Sequence, residues 1–337
     1  MNGLVYVNDD DDNLFKQYHL PLAYNSTIKH VSCGFYHTII ITSDDGIFVM
    51  GRNDEGQLGI INKTNQKKFI EIEKPLEMKD LKMSSCGSYF TQVLTNDGKI
   101  FGTGRGKEGQ LGTGRLVNVE EFTMCPSDVF DTPVVQINCS QLNTVCVTKS
   151  GKVYHCGHIL HLEDKGPEYV ASFRLLPITD PIQTASVGMD NVLCKTMDGL
   201  LYLYDGAKNV VMHVSTGTEF VESFSCSFRR NLILTSSQQL YQMIDYRKKR
   251  IKKFKRNHIK HMFSDLSPHD LFVTDNDEIK KRSHNYDSIT NLHLPKHNNH
   301  TVVMGSTGYN HSVIITGQIT IHIHDKAYQD VKIKFYS

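Results

Sequence analysis

The sequence predicts an all-β fold: a seven-bladed β-propeller of four-stranded blades, its ring closed by a terminal strand. Three observations predict it. Residues 51–59, GRNDEGQLG, return almost unchanged as residues 104–112, GRGKEGQLG. A threonine ends an apolar run in each of seven similar stretches, at Thr42, Thr95, Thr148, Thr196, Thr235, Thr274 and Thr316. Apolar residues at helical spacing are hard to find anywhere in the chain.

The similarity extends upstream of the glycine-rich segment. VSCGFYHTIIITSDDGIFVMGRNDEGQLG from Val31 aligns with MSSCGSYFTQVLTNDGKIFGTGRGKEGQLG from Met83. The shared unit is Cys-Gly, an apolar run ending in Thr, Asp-Gly, and a second apolar run. Weaker copies begin near Ile137, Ala185, Phe224, Phe263 and Gly305, and successive threonines lie 53, 53, 48, 39, 39 and 42 residues apart. A period of this length, found before any motif is weighed, marks a repeat architecture. Residues 1–337 therefore read as one domain.

Inside a unit the pattern is that of a hairpin. TIIIT and IFVMG are short, β-branched and aromatic, and Asp-Gly between them supplies the positive φ of a tight turn. Strands this apolar on both faces need cover on both sides, which four-stranded sheets stacked radially provide. Such a ring exposes sheet edges unless its ends are joined. GLVYVN at residues 3–8, within residues 1–12, reads as the closing strand on the last blade; VKIKFYS at residues 331–337 competes for that place.

Gly104, Gly106 and Gly109 have the spacing of a pyrophosphate-binding loop. That loop occurs once and opens a helix. Here the segment recurs, no helical pattern follows, and Asn53 replaces the middle glycine. Gly34, Gly51, Gly56, Gly59, Gly87, Gly104, Gly109 and Gly112 instead read as structural glycines where blades approach closely. No nucleotide or other cofactor is expected.

The composition, 39% hydrophobic and 22% charged, is that of a soluble globular chain. No apolar run approaches the ~20 residues of a membrane helix, and the first residues lack the basic flank and apolar stretch of a secretory signal. The eight cysteines form no C-x-x-C. Cys33, Cys86, Cys139 and Cys226 fall at matching places in the repeat, as small buried side chains suited to a reducing compartment, cytoplasmic or nuclear. His155, His158 and His161, with Cys156, would gather on a helix, but this stretch reads as strand then loop, so no metal is expected. His322 and His324 share one face of a strand, and NDDDDN at residues 8–13 lacks the glycine and glutamate of a calcium loop. No local set of catalytic groups is present, so no covalent catalysis is expected.

These motifs together resemble the repeat of the regulator of chromosome condensation family. Cys33-Gly34, His37-Thr38, Asp45-Gly46 and residues 51–59 carry the likeness in the first unit, and residues 86–112 in the second. The resemblance implies a seven-bladed propeller, expected as a monomer, that works by binding proteins. The founding member exchanges nucleotide on the small GTPase Ran and docks on nucleosomes, whereas many relatives are interaction platforms. By that likeness the insert at residues 158–168, HILHLEDKGPE, fills the slot of a protruding wedge, with His158, Leu160, Glu163 and Asp164 facing the GTPase. Asp190 would fill an acidic position on that face, where the third unit departs with Gln141. Ultraviolet sensing by tryptophan clusters, another use of the family, is excluded because the chain has no tryptophan.

The net charge of +1 is unevenly spread. RKKRIKKFKR at residues 247–256 holds eight basic residues, Arg247, Lys248, Lys249, Arg250, Lys252, Lys253, Lys255 and Arg256, which leaves the rest of the chain at −7. This strip reads as an inter-blade loop, either simply solvated or serving nuclear import, chromatin or another polyanion. Two functions therefore stand: a guanine-nucleotide exchange factor or regulator for a Ran-like small GTPase, and a non-catalytic adaptor using the basic strip.

Overall fold

The structure is a computed structural model. It describes residues 3–7, 16–20, 26–158, 161–162, 166–167, 169–206, 208–217, 219–226, 231–244, 247–250, 258–263, 269–276, 278–283, 289–292, 302–307, 311–316, 320–325 and 331–334. Among these residues every regular element is a strand.

Seven sheets of four or more strands follow one another along the chain, at residues 28–71, 81–124, 134–175, 182–213, 221–250, 259–292 and 302–334. They are blades 1 to 7. Each is an antiparallel meander with its strands in chain order. The first strands of successive blades touch, and Val302–Thr307 of blade 7 touches Ile28–Cys33 of blade 1. First strands are thus innermost, and the ring is closed.

One irregularity recurs in all seven blades. The pairing of first and second strands shifts between Ile28 and His30, Leu81 and Met83, Val134 and Gln136, Ile182 and Thr184, Val221 and Ser223, Ile259 and His261, and Val302 and Met304. An extra residue at such a bulge bends the strand and increases its twist. Blades 5 and 6, whose sequences depart furthest from the repeat, share it, so they are the same module.

The marking threonine closes the turn between second and third strands. Its N–H donates to the carbonyl four residues on at Thr42, Thr95, Thr148, Thr196, Thr235 and Thr274. Its hydroxyl accepts the N–H of Lys99, Lys152, Leu200 and Gln239 in blades 2 to 5. The residue before that N–H adopts positive φ: Gly98, Gly151, Gly199 and Gln238, with Asp45 in blade 1. In blade 1 the left-handed residue is thus Asp45, not Gly46. Asp45 and Gln238 use the side chain glycine lacks. Asp45 accepts from Asp80 N–H and Leu81 N–H at 2.6 and 2.8 Å, and Gln238 accepts from Ile259 N–H at 2.8 Å. Each anchors the start of the next blade.

The apolar core lies between blades. Ile39, Ile41 and Val49 of blade 1 pack against Leu81, Val93 and Phe101 of blade 2. The second strands His37–Thr42, Phe90–Thr95 and Asn143–Thr148 are buried at every position, because each sheet has a neighbour on both faces.

Nearer the axis the blades are joined by hydrogen bonds from backbone to side chain. Ser32 Oγ accepts from Cys86 N–H (2.8 Å), Ser85 Oγ from Cys139 N–H (2.9 Å), Asn138 Oδ1 from Val187 N–H (2.7 Å) and Ser186 Oγ from Cys226 N–H (3.0 Å). Ser306 Oγ accepts from Cys33 N–H (3.1 Å), across the seam between blades 7 and 1. A second row lies beside the first: His30 Nδ1 accepts from Ser84 N–H and Gln136 Oε1 from Ala185 N–H. All eight cysteines are buried and free. Burial pushes the Cys139 and Cys226 thiols up to about 12, so they pack as small apolar groups.

Both chain ends meet on blade 7. Val331–Lys334 is its fourth strand, and Gly3–Val7 pairs antiparallel outside it, from Leu4 opposite Lys334 to Val7 opposite Val331. Lys16–Leu20 then pairs with Gly3–Val7. The two competing candidates thus occupy one sheet; Asn8 and the rest of residues 8–13 lie outside the described residues. The basic strip needs correction. Arg247–Arg250 is the fourth strand of blade 5, paired from Ile244 opposite Arg247 to Tyr241 opposite Arg250, and not an inter-blade loop. A fourth strand is an edge, where basic side chains oppose pairing with another chain. Lys252, Lys253, Lys255 and Arg256 lie outside the described residues.

Candidate functional site

A meander sends the loops between first and second strands, and between third and fourth, to one face. The turns between second and third strands, and the inter-blade connections, leave on the other. Of the residues predicted for the GTPase face, His158 and Asp190 belong to the first face.

The two glycine-rich segments on this face are not open cradles. Asn53 ties the first together, accepting from Leu58 N–H at 2.9 Å and donating to the Ile60 carbonyl at 3.0 Å. The segment then docks on the next blade: Thr91 and Thr103 hydroxyls donate to the carbonyls of Gln57 and Gly56. Thr144 does the same to Gln110 from blade 3. A Cβ on Gly109 would lie 2.4 Å from the Val170 carbonyl oxygen, so close approach of the next blade excludes any side chain. The repeated segment is an inter-blade clasp.

Equivalent positions on the rim are fixed by one recurring bond. Arg52 N–H donates to Tyr36, Arg105 N–H to Tyr89, His158 N–H to Leu142 and Gly206 N–H to Asp190. Tyr36, Tyr89, Leu142 and Asp190 are therefore counterparts. The third unit's counterpart of Asp190 is Leu142, not Gln141; Gln141 aligns one residue earlier, with Phe35. The two loops are equal in length, with Ser140 at the place of Gly34 and Asn143 at the place of His37, so the third unit lacks the histidine that marks the position.

Blade 3 replaces the clasp by an insert. His158 opens it, buried, with its ring 5.7 Å from that of Tyr169. His161–Leu162 pairs antiparallel with Gly166–Pro167, so the insert contains a two-stranded hairpin separate from the blade sheet. Leu160, Glu163 and Asp164 lie outside the described residues. Asn143 joins this insert to blade 4: its Nδ2 donates to the carbonyls of His158 (3.1 Å) and Met189 (3.0 Å). Half-buried Asp190 follows Met189 directly. The structure thus brings His158 and Asp190 into one hydrogen-bonded neighbourhood, through a residue that sequence reading did not single out.

Blades 1 and 2 give the rim a different character. Phe35, Tyr36 and Tyr89 form a cluster with ring centroids 5.6–6.4 Å apart, and the Arg52 guanidinium lies 5.6 and 5.7 Å from the two tyrosine rings. Arg105 holds Glu108 with Nε to Oε2 at 2.9 Å. Burial opposes ionisation of Glu108, but hydrogen bonds from Arg105 and Gln110 outweigh it and hold the carboxyl below its ordinary range. These aromatic residues were legible only as repeat positions, since their clustering comes from two units 53 residues apart. Among the described residues no three His, Cys, Asp or Glu side chains converge on a metal position.

Comparison with known proteins agrees with this geometry. The family model of the Regulator of chromosome condensation (RCC1) repeat matches residues 44–94 and 97–147, and a second model of that repeat matches residues 28–57. The human X-linked retinitis pigmentosa GTPase regulator is 28% identical over 133 residues, which are 40% of this chain and only 13% of that protein. Human WBSCR16 superposes with a TM-score of 0.73 at 16% identity over 99% of both chains. Yeast RCC1 (Prp20), solved with Kap60, gives 0.69 at 14% identity over 87% of this chain and 89% of its own. With the clasp segment and these matches in hand, residues 28–147 carry repeats of the regulator of chromosome condensation (RCC1) family, and the chain as a whole has the propeller fold.

Proposed function

We propose that this chain is a protein-interaction propeller that regulates a Ran-like small GTPase by promoting guanine-nucleotide exchange. The observation that carries this reading is the hairpin insert of blade 3, joined through Asn143 to the turn bearing Asp190. Yeast Prp20, which shares the fold, has been described with its binding to Gsp1p and histones. Exchange requires no covalent step. The propeller must bind the nucleotide-free GTPase more tightly than the loaded one, and by reciprocity it then weakens nucleotide affinity equally. Glu163 and Asp164, between the hairpin strands in sequence, would bring carboxylates to the cations that hold the nucleotide's phosphates. Asp190 would hold the GTPase alongside.

The test follows release of a fluorescent guanine nucleotide from Ran. The full chain is expected to accelerate release. Asp190→Ala, and separately a variant with residues 159–168 replaced by Gly-Gln-Leu-Gly, should each slow it about tenfold or more, a loss of ~1.4 kcal/mol in transition-state stabilisation, with unchanged melting. Release at the spontaneous rate with wild-type protein would remove the exchange reading. A second reading, a non-catalytic adaptor for chromatin or another polyanion, is favoured by the basic edge strand Arg247–Arg250. It gains if Ran is captured, or DNA retained, without faster release.

A further inference from the structure

The opposite face carries an apolar patch that the repeat itself marks as unusual. In blade 2 the turn runs Thr95 to Lys99, and Lys99 pairs with Asp97 at 2.7 Å. In blade 3 it runs Thr148 to Lys152, and Lys152 pairs with Asp131 at 3.3 Å. In blade 4 the same turn runs Thr196 to Leu200, so an apolar side chain replaces the cation. Leu200 is 42% exposed and Met197, in the same turn, 65%.

The neighbouring connection repeats the exchange. The carbonyls of Thr27, Asp80, Pro133 and His258 accept from the N–H of the second turn residue in their blades; between blades 4 and 5 that place is filled by Phe220, 67% exposed. Its ring lies over Gly199, where a Cβ would stand 3.3 Å from Cδ1. Met197, Leu200 and Phe220 therefore form one patch spanning two blades. Four carboxylates belong to the same segments: Asp198 lies within the turn, Glu219 and Glu222 flank Phe220 in the chain, and Asp180 precedes the first strand of blade 4. Asp180 lies beside Tyr202, Glu219 accepts from the Ser237 hydroxyl at 2.6 Å and Glu222 from Gln238 Nε2 at 2.8 Å, bonds that hold the two glutamates in place. Among the described residues at the turn after Thr196 and in the connection into blade 5 the cation is Lys195, whose Nζ donates to the Val221 carbonyl at 3.2 Å; the basic strand Arg247–Arg250 is the fourth, outer strand of blade 5.

Large exposed apolar side chains accompanied by carboxylates in the same segments select one chemistry of partner. We propose that this sector of blades 4 and 5 is a second docking surface, on the face opposite the hairpin, for a basic polypeptide segment carrying apolar anchor residues. The anchors would cover Met197, Leu200 and Phe220, and lysines or arginines would meet the four carboxylates. Charge supplies encounter and orientation, and apolar burial at the centre supplies most of the binding.

The test uses the full chain and three labelled synthetic peptides of equal length, built from Lys and Leu, from Lys and Ser, and from Glu and Leu, read by fluorescence anisotropy. The Lys/Leu peptide is expected to bind about tenfold or more tightly than either of the others. Leu200→Lys with Phe220→Thr restores residues other blades use and should weaken that binding at least about tenfold, leaving melting unchanged. Asp198→Asn with Glu222→Gln should weaken it and flatten its salt dependence. Equal binding of the Lys/Ser peptide, or full binding by the Leu200→Lys, Phe220→Thr variant, would overturn the proposal. So would sedimentation showing that this patch instead pairs two copies of the chain. Nucleotide release from Ran does not enter the measurement, so this proposal stands or fails independently of exchange.

Discussion

His30 lies on the inner strand of blade 1, and its Nδ1 accepts from Ser84 N–H in blade 2 at 3.3 Å. An imidazole nitrogen accepts only when unprotonated, and burial drives the ring from its ordinary 6.5 to about 4. The unfolded chain then binds a proton through that interval that the folded chain refuses. Stability is complete above pH 6.5 and falls as pH drops toward 4. Gln136 performs the same task for Ala185 without titrating. His30→Gln should therefore keep the bond and flatten the dependence. Thermal melts at neutral and mildly acidic pH would show a smaller drop for the variant than for wild type; equal drops would refute this account. Sequence could not have found His30, because its function depends on a backbone N–H 54 positions away. The threonines were legible, since each acts within its own turn.

At the scale of blades, units 5 and 6 lack the Gly-Gln-Leu-Gly clasp, and a buried ionic contact appears where they meet. Arg282 and Asp270, 3% and 1% exposed, face each other across the second and third strands of blade 6 at 3.4 Å, and Arg282 also donates to Gln242 of blade 5 at 2.8 Å. Removing one member of such a pair leaves a buried charge and costs about 3–5 kcal/mol, whereas replacing both by apolar residues is often neutral. Arg282→Met is thus expected to melt well below wild type, and Arg282→Met with Asp270→Leu to recover much of the loss. Denaturant unfolding of the single and double variants checks this; an additive double loss would sink it. Nothing in IKKRS or HDLFVT marked these residues. Partners on different units are invisible until the ring places them side by side. For the same reason the hairpin insert was legible as a break in the repeat, whereas its link to blade 4 through Asn143 was not.

For the molecule as a whole, the ring was legible from period alone: seven threonines, two apolar runs per unit and an orphan strand at the start. The basic strip was misjudged, because lysine and arginine in sequence look like loop whether they are solvated freely or line an edge strand. The seam between blades 7 and 1 was not legible. Ser306 closes it with a bond of the kind that Ser85 makes within the ring. Each is worth about 1 kcal/mol. Ser306→Ala and Ser85→Ala should lower the melting temperature by similar small amounts, but only Ser306→Ala should speed amide exchange at Cys33. Unaltered exchange at Cys33 would show that the seam is held elsewhere.

These five inner bonds share an asymmetry. The acceptor is a side chain, but the donor is always the peptide group of the following module, which no substitution other than proline deletes. Half of every fastener is therefore immune to drift, and the other half asks only for a short oxygen-bearing residue. A ring assembled this way lets the lettering of its modules wander far while the hoop stays shut, and leaves its outer surfaces open to acquire new partners.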